Sequence, residues 1–305
     1  MEKPKIVVVG SSNTDMVVKV PHIPAPGETI LGTGFMTIPG GKGANQAVAA
    51  ARAGAAVTFI TCVSDDAFGK KAIEDYQKEG IDTSCIKIQP GIHSGIALIN
   101  VAEGGENSIS VAPGANSNLF PEDVHGFEAA FDGAKVVLAQ LEIPLKTVEV
   151  AAKVAHEKGI PFMLNPAPGA AIPESLLRKV TIITPNETEA AIITSRKDFS
   201  EKDIREMAGD LFEKNGITVL LTLGSKGVYL KSPDFEGMIP GYKVKAVDTT
   251  AAGDVFNGAL AAALGGEMEL NKAVDFAQRA AAISVTRMGA QPSAPTRDEI
   301  KNYVF

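Results

Sequence analysis

A chain of 305 residues with 45% hydrophobic content has ample apolar material for a large α/β core, as one domain or two small ones, and this composition argues against disorder. The balance of 29 basic against 36 acidic residues gives a net charge of -7, and no Lys/Arg cluster interleaves with aromatics, which argues against a nucleic-acid or other polyanion partner. Cys62 and Cys85 lack C-x-x-C spacing, no signal-peptide pattern precedes the first apolar run, and no apolar stretch reaches bilayer length. The expectation is a soluble cytoplasmic protein with free thiols and no membrane partner.

The strand-like run at 6–9 leads into Gly10-Ser11-Ser12-Asn13-Thr14-Asp15. Ligands of open α/β sheets bind at the carboxyl ends of strands, so Asn13 and Asp15 are placed to hydrogen-bond polyol hydroxyls. An Asx-type turn between two strands explains the same residues. Residues 16–20 with 28–37, and residues 95–111, carry strand-like runs with no helix between them. They predict a small β subdomain beside the main sheet, as a lid, an edge extension or a dimer contact.

Between these runs stands Pro39-Gly40-Gly41-Lys42-Gly43-Ala44-Asn45-Gln46-Ala47, leading into a helical pattern over 48–53. Glycines around a lysine let a backbone approach a ligand, with Asn45 projecting from a first helical turn, although a structural Gly-rich turn has the same look. It is not a Walker A loop, because Gly is missing at position 36 and Gly43 replaces Ser or Thr. No G-x-G-x-x-G occurs, which contradicts a dinucleotide-dependent oxidoreductase.

From there short Val/Ile-rich runs at 57–61, 136–139, 162–164, 182–184 and 219–223 are each followed by helical spacing, predicting βα units and a mostly parallel sheet buried on both faces. Thr184-Pro185-Asn186-Glu187-Thr188-Glu189 puts Asn186 and Glu189 on one side of a first turn. Glu189 suits a hydrated magnesium beside phosphates, and a plain N-cap with first-turn acids fits equally. Thr222-Leu223-Gly224-Ser225-Lys226-Gly227 offers small residues to back a nucleotide, or a β-hairpin turn.

The run from Asp248 and Thr250 through Ala251, Ala252, Gly253 and Asp254 places small residues and one carboxylate where an extended segment becomes an Ala-rich helix. Free N-H groups there can meet an anion, and Asp254 supplies a base, or is simply a first-turn acid. Residues 287–293 read as a helix exit whose carbonyls either bind a cation or are capped by Gly289. His22, His93, His125 and His156 show no paired spacing, against a transition-metal site or a His-based triad.

In this order the GGKGANQA, TPNETE, LTLGSKG and VDTTAAGDVFNGA runs, with NPAP at 165–168 and the TRMGAQPS tail, closely resemble the ribokinase family of sugar kinases, also called the phosphofructokinase-B family. The resemblance spans nearly the whole chain. It implies a single domain over 1–305 with the Rossmann-like ribokinase fold: a mostly parallel central sheet flanked by helices, plus a β-sheet lid from about 14–38 and 93–112. It also implies a phosphotransferase acting on an alcohol group, moving phosphoryl from MgATP to the 5-hydroxyl of D-ribose.

By this resemblance Asp254 is the general base, and the backbone from Ala251 through Ala252 to Gly253 is the anion hole. Asn13, Thr14, Asp15, Gly41, Lys42, Gly43, Ala44, Asn45 and Glu142 match the sugar site. Asn186, Glu189, Thr222, Leu223, Gly224, Ser225, Lys226, Gly227 and Gln278 match the nucleotide site, with Glu189 in the magnesium role. Asp248, Thr250, Ser284, Arg287, Gly289 and Ser293 match a potassium site, several through backbone carbonyls. A homodimer through the lid is implied. Two departures stand out: Ala251 where the family signature has Gly, and Gln278 where many relatives have Asn or His. Competing acceptors are 2-deoxyribose, fructose or a nucleoside, and a catalytically silent sugar binder is the rival of another class.

Overall fold

The structure is a computed structural model describing residues 2–196 and 198–305. The chain begins with β1 (Lys5–Val9), β2 (Asn13–Val20), β3 (Gly34–Gly40), α1 (Lys42–Arg52), β4 (Ala56–Ser64), α2 (Ala67–Lys78) and β5 (Ile86–Gln89). It continues through β6 (Gly95–Ala102), β7 (Asn107–Ala112), α3 (Pro121–Gly126), β8 (Val136–Ala139), α4 (Leu145–Glu157), β9 (Phe162–Leu164), α5 (Glu174–Leu177) and β10 (Ile182–Ile183). Last come α6 (Glu187–Thr194), α7 (Glu201–Asn215), β11 (Thr218–Thr222), β12 (Gly227–Lys231), β13 (Glu236–Pro240), α8 (Ala252–Gly265), α9 (Leu270–Ser284) and α10 (Arg297–Asn302).

The nine-stranded sheet runs β13-β12-β11-β10-β9-β8-β1-β4-β5. All its pairings are parallel except β11 with β12 and β12 with β13. The unbroken apolar run of β1 follows from its central place, because both of its faces are covered. Ile6 and Val8 join a core with Val48, Phe256, Leu260 and Ala277 of α1, α8 and α9. Val7 and Val9 point the other way, into a core with Val148, Ala151, Met207 and Leu211 of α4 and α7.

The smaller sheet runs β3-β2-β6-β7, two antiparallel pairs joined by the parallel β2–β6 pairing. It confirms the strands expected without an intervening helix, although residues 28–33 lie outside any strand. Phe35, Leu98, Ile109 and Val111 on this sheet are half or more exposed.

Two local expectations need correction. The stretch 219–223 is followed by a tight turn and the antiparallel β12 rather than by a helix, because Gly224 (φ 55°) and Gly227 (φ 111°) supply left-handed backbone for a reversal. Gly289 caps no helix, since α9 ends at Ser284 with Val285 as its cap.

Helix α8 is apolar nearly all round because it packs between α1 and α9. Gly258 sets how closely it crosses α1: a Cβ there would stand 2.4 Å from Gln46 O and 2.6 Å from Ala49 Cβ. That close crossing brings the first turn of α8 against the first turn of α1, at the carboxyl ends of the parallel strands.

Candidate active site

Asp254 lies in the first turn of α8 and is only 7% exposed. Each of its oxygens accepts one side-chain amide from α1, Oδ2 from Asn45 Nδ2 and Oδ1 from Gln46 Nε2, both at 2.9 Å. Burial lifts its pKa above the usual carboxylate range, against the pull of Lys42 and the two amide donors. Lys42 is half-buried, and the loss of water around it would lower its pKa. Asp254, Glu142, Glu189 and Asp15 more than offset this, so it is held above its ordinary value and stays an ammonium. Asp15 is pushed up to about 7 by burial and then by Glu142 and Asp254. One lysine thus sits among four acids, an arrangement that favours cationic or hydroxyl-rich ligands.

Asn13 and Asp15 share one face of β2, and Thr14 between them points to the other face. Asn116 Nδ2 donates to Asn13 Oδ1 at 2.7 Å, so Asn13 has its NH2 group to offer. Glu142, just beyond β8, accepts from Ser11 Oγ at 2.5 Å and from the Lys42 N-H at 3.0 Å. Gly43 N and Ala44 N donate to Ser11 Oγ and Ser11 O at 3.3 and 2.9 Å, and Asn45 N donates to Gly41 O at 2.8 Å. Every N-H of the first turn of α1 is therefore engaged. Gly43 and Ala44 act in packing against Ser11, while Lys42 and Asn45 offer side chains.

The start of α8 is different. Ala252 N donates to Thr249 O at 3.3 Å, but the N-H groups of Gly253 and Asp254 meet no acceptor among the described residues. A Cβ added to Gly253 would touch nothing within 4 Å, so the approach is open. Ala251 precedes them at φ 59° and ψ 13°, a left-handed conformation that costs an L-residue about 1 kcal/mol. This geometry explains why glycine is the usual occupant in the motif this run resembles.

A cleft of about 560 Å³ ends at Ala252 and Gly253. Asn186, Thr222, Gly224, Ser225, Gly227 and Gln278, all matched by resemblance to a nucleotide site, line it. Leu223 instead turns into the core and Lys226 lies off the lining. Gln278 is 6% exposed, and its Nε2 has no partner among the described residues. Glu189 forms a capping box with Asn186 across 2.8 and 3.0 Å, using only Oε2, and burial raises its pKa. Its Oε1 accepts nothing from the described residues, which fits a magnesium ion that keeps most of its waters.

Asp248 ties two segments together by accepting from Thr250 N and Gly289 N, both at 2.9 Å. Although burial opposes it, these donors hold its pKa below the usual carboxylate value. The hydroxyls of Ser284 and Ser293 donate to Ala281 O and Ala290 O at 2.8 and 2.7 Å. The Arg287 guanidinium turns away to Glu299 at 2.6 Å, leaving only its backbone to a cation. The donors that remain are oxygens with one carboxylate, and among the described residues no three His, Cys, Asp or Glu side chains are placed to hold a metal ion together. That set suits a hard monovalent cation.

Comparison with known proteins agrees with this geometry. Residues 3–297 match the pfkB family carbohydrate kinase family. The chain belongs to the pfkB family. Within that family it is 45% identical to a ribokinase of Haemophilus influenzae over 98% of both chains. It is 36% identical to a deoxyribokinase of Salmonella typhimurium, again over 98% of both. The ribokinase of Arabidopsis thaliana complexed with ribose and ATP superposes with a TM-score of 0.90 at 31% identity, covering 100% of each chain. The chain therefore has the pfkB kinase fold and belongs among carbohydrate kinases.

Several residues of the site carried no sequence signal of their own. Tyr242, Lys243 and Val244 line the cleft from a segment without regular structure, Phe256 and Ala281 do so from helices where their spacing reads as core, and Val285 does so from the cap of α9. Ser11, Asn116 and Gln140 act through partners remote in sequence. Gln140 alone left a hint, as a polar residue directly after a four-residue apolar strand.

Proposed function

We propose that the protein transfers the γ-phosphoryl group of ATP to the 5-hydroxyl of D-ribose, giving D-ribose 5-phosphate and ADP. The observation that carries this reading is the juxtaposition at the start of α8: a buried, doubly held Asp254 next to open N-H groups, with the polar cluster of β2 and α1 beside it and the 560 Å³ cleft beyond. Asp254 takes the proton of the 5-hydroxyl as that oxygen bonds to the γ-phosphorus. The bond from phosphorus to the bridging oxygen breaks, and ADP leaves with the bond's electrons. The N-H groups of Gly253 and Asp254 take the charge on the transferred phosphoryl oxygens. Asn13, Asp15, Lys42, Asn45 and Glu142 orient the sugar, and a polar site of this kind rejects analogues that leave its groups unpaired.

Magnesium, held by the phosphates and by Glu189 through water, would neutralise phosphate charge. Potassium, held by Asp248 and by Thr250, Ser284, Arg287, Gly289 and Ser293, several of these through backbone carbonyls, would fix the loop that precedes α8. The chain works as a single domain whose small sheet is the lid, and the exposed apolar side chains of that sheet support a homodimer through it. Because ATP is an intracellular metabolite, the cytoplasm is its place of work. Coupled ADP release with ribose, 2-deoxyribose, fructose and adenosine, with and without potassium, tests the whole reading. Ribose-dependent, potassium-stimulated ADP formation is expected; preference for 2-deoxyribose would reassign the acceptor, and binding of ribose without turnover would leave a silent sugar binder.

A further inference from the structure

Behind Asp254 lies a row of primary amides. Gln46 Nε2 donates to Asp254 Oδ1 and to Asn165 Oδ1, both at 2.9 Å. Gln46 Oε1 accepts from Gln140 Nε2 at 2.5 Å, and Asn165 Nδ2 continues to Thr184 O at 3.2 Å. Gln46 and Gln140 are completely buried. Their directions are not independent. An ionised carboxylate only accepts, so the end of Gln46 facing Asp254 must be its NH2; its carbonyl then faces Gln140, whose own NH2 must point to it.

The arrangement has a visible steric requirement. A Cβ on residue 10 would stand 2.1 Å from Gln140 Oε1, so Gly10 leaves the space in which the Gln140 amide lies. Buried amides are a poor way to fill a core, since each is desolvated, and Gln140 Oε1 has no partner among the described residues. Leu or Met would pack there at lower cost. Their presence calls for a reason connected with the carboxylate they end on.

We propose that Gln46 and Gln140 are positioning residues for the transfer: Gln140 fixes the direction of the Gln46 amide, and Gln46 thereby presents N-H to Asp254 and keeps it an acceptor in one orientation. The inference rests on Asp254 being the base. The charged groups around Asp254 are Lys42 of α1, Asp15 of β2, Glu142 after β8 and Glu189 of α6. Burial and Glu142 disfavour the ionised form, while Lys42, Asn45 and Gln46 favour it. Taking away one donor moves that balance toward the protonated acid, which cannot accept the sugar's proton.

The test uses Gln46→Met and Gln140→Met, which keep side-chain length and remove the N-H. The readouts are the pH dependence of kcat/KM for ribose, KM for ATP, and the titration of the Asp254 carboxyl resonance in protein carrying 13C-labelled aspartate. In Gln46→Met the acid limb should move up by about one pH unit, as loss of a charge-assisted hydrogen bond implies. Gln140→Met should shift it the same way by less, although Gln140 does not touch Asp254. Both variants should recover toward native rates at alkaline pH with KM for ATP unchanged, and the carboxyl resonance should move with the acid limb. A limb and resonance that stay at the native pH, or a loss of equal size at every pH, overturns the relay. A native protein that fails to phosphorylate ribose while the resonance still moves in Gln140→Met overturns the assigned reaction and leaves the amide relay standing.

Discussion

Two helices start at the same place in this molecule and are finished in opposite ways. The first turn of α1 is closed, its N-H groups taken by Glu142, Ser11 and Gly41. The first turn of α8 leaves Gly253 and Asp254 without acceptors among the described residues, under open space. Both runs are rich in Gly and Ala, and either could attract an anion by its macrodipole alone. What separates them is partner supply: α1 gives its side chains to the site and keeps its backbone for the fold, while α8 gives backbone N-H groups as well as the Asp254 side chain.

The largest effect is expected where α8 carries the chemistry. Asp254→Asn should lower kcat about 10²- to 10⁴-fold with binding of ribose and ATP changed only a few-fold. Steady-state kinetics beside calorimetric binding checks this, and native turnover in the variant would remove Asp254 from the mechanism. Next comes closing the open helix start. Gly253→Asp has room for its side chain, and a like charge there should reduce kcat/KM for ATP about 10- to 100-fold while KM for ribose holds. An ATP dependence equal to native would mean that the open N-H groups are not the phosphate's partners.

These two helix starts also show how far the sequence could be read. The helix start before Asp254 was legible because its signal is local, small residues between an extended segment and an Ala-rich helix, whereas the left-handed Ala251 and the Ala252 N-H spent on Thr249 were not. The βα rhythm and the separate strand-only segments were legible through periodicity for the same reason. The start of α1 was not, since the groups that cap it come from Ser11 and from Glu142, the latter 100 residues away. Nor was the part of Gln140, whose amide donates to Gln46, 94 residues before it. Thr14, Leu223 and Lys226 fell inside motifs whose neighbours do line the site, and motif position alone does not say which face a side chain takes.

A subtler contrast lies in charge. Asp15, with a folded pKa of about 7, binds more protons in the native protein than in the unfolded chain between about pH 4 and 7. Its contribution to stability is complete below the unfolded pKa and is lost as pH rises through 7. Without ligands, the denaturation midpoint should therefore fall from pH 5 to 8, and Asp15→Asn should flatten that slope; parallel curves for the two proteins would contradict the assignment. The smallest effect belongs to Ala251→Gly, which relieves the left-handed alanine at the entrance to α8. Chemical denaturation should show a gain of up to about 1 kcal/mol, with kcat nearly unchanged.

The most direct test of the account is a crystal structure with ribose, ADP, magnesium and aluminium fluoride, whose planar anion stands in for the phosphoryl group in transit. The account predicts the anion within hydrogen-bond distance of the Gly253 and Asp254 N-H groups, between ADP and a sugar hydroxyl that touches Asp254. An anion seated at the first turn of α1, or a sugar whose nearest hydroxyl points away from Asp254, would contradict it.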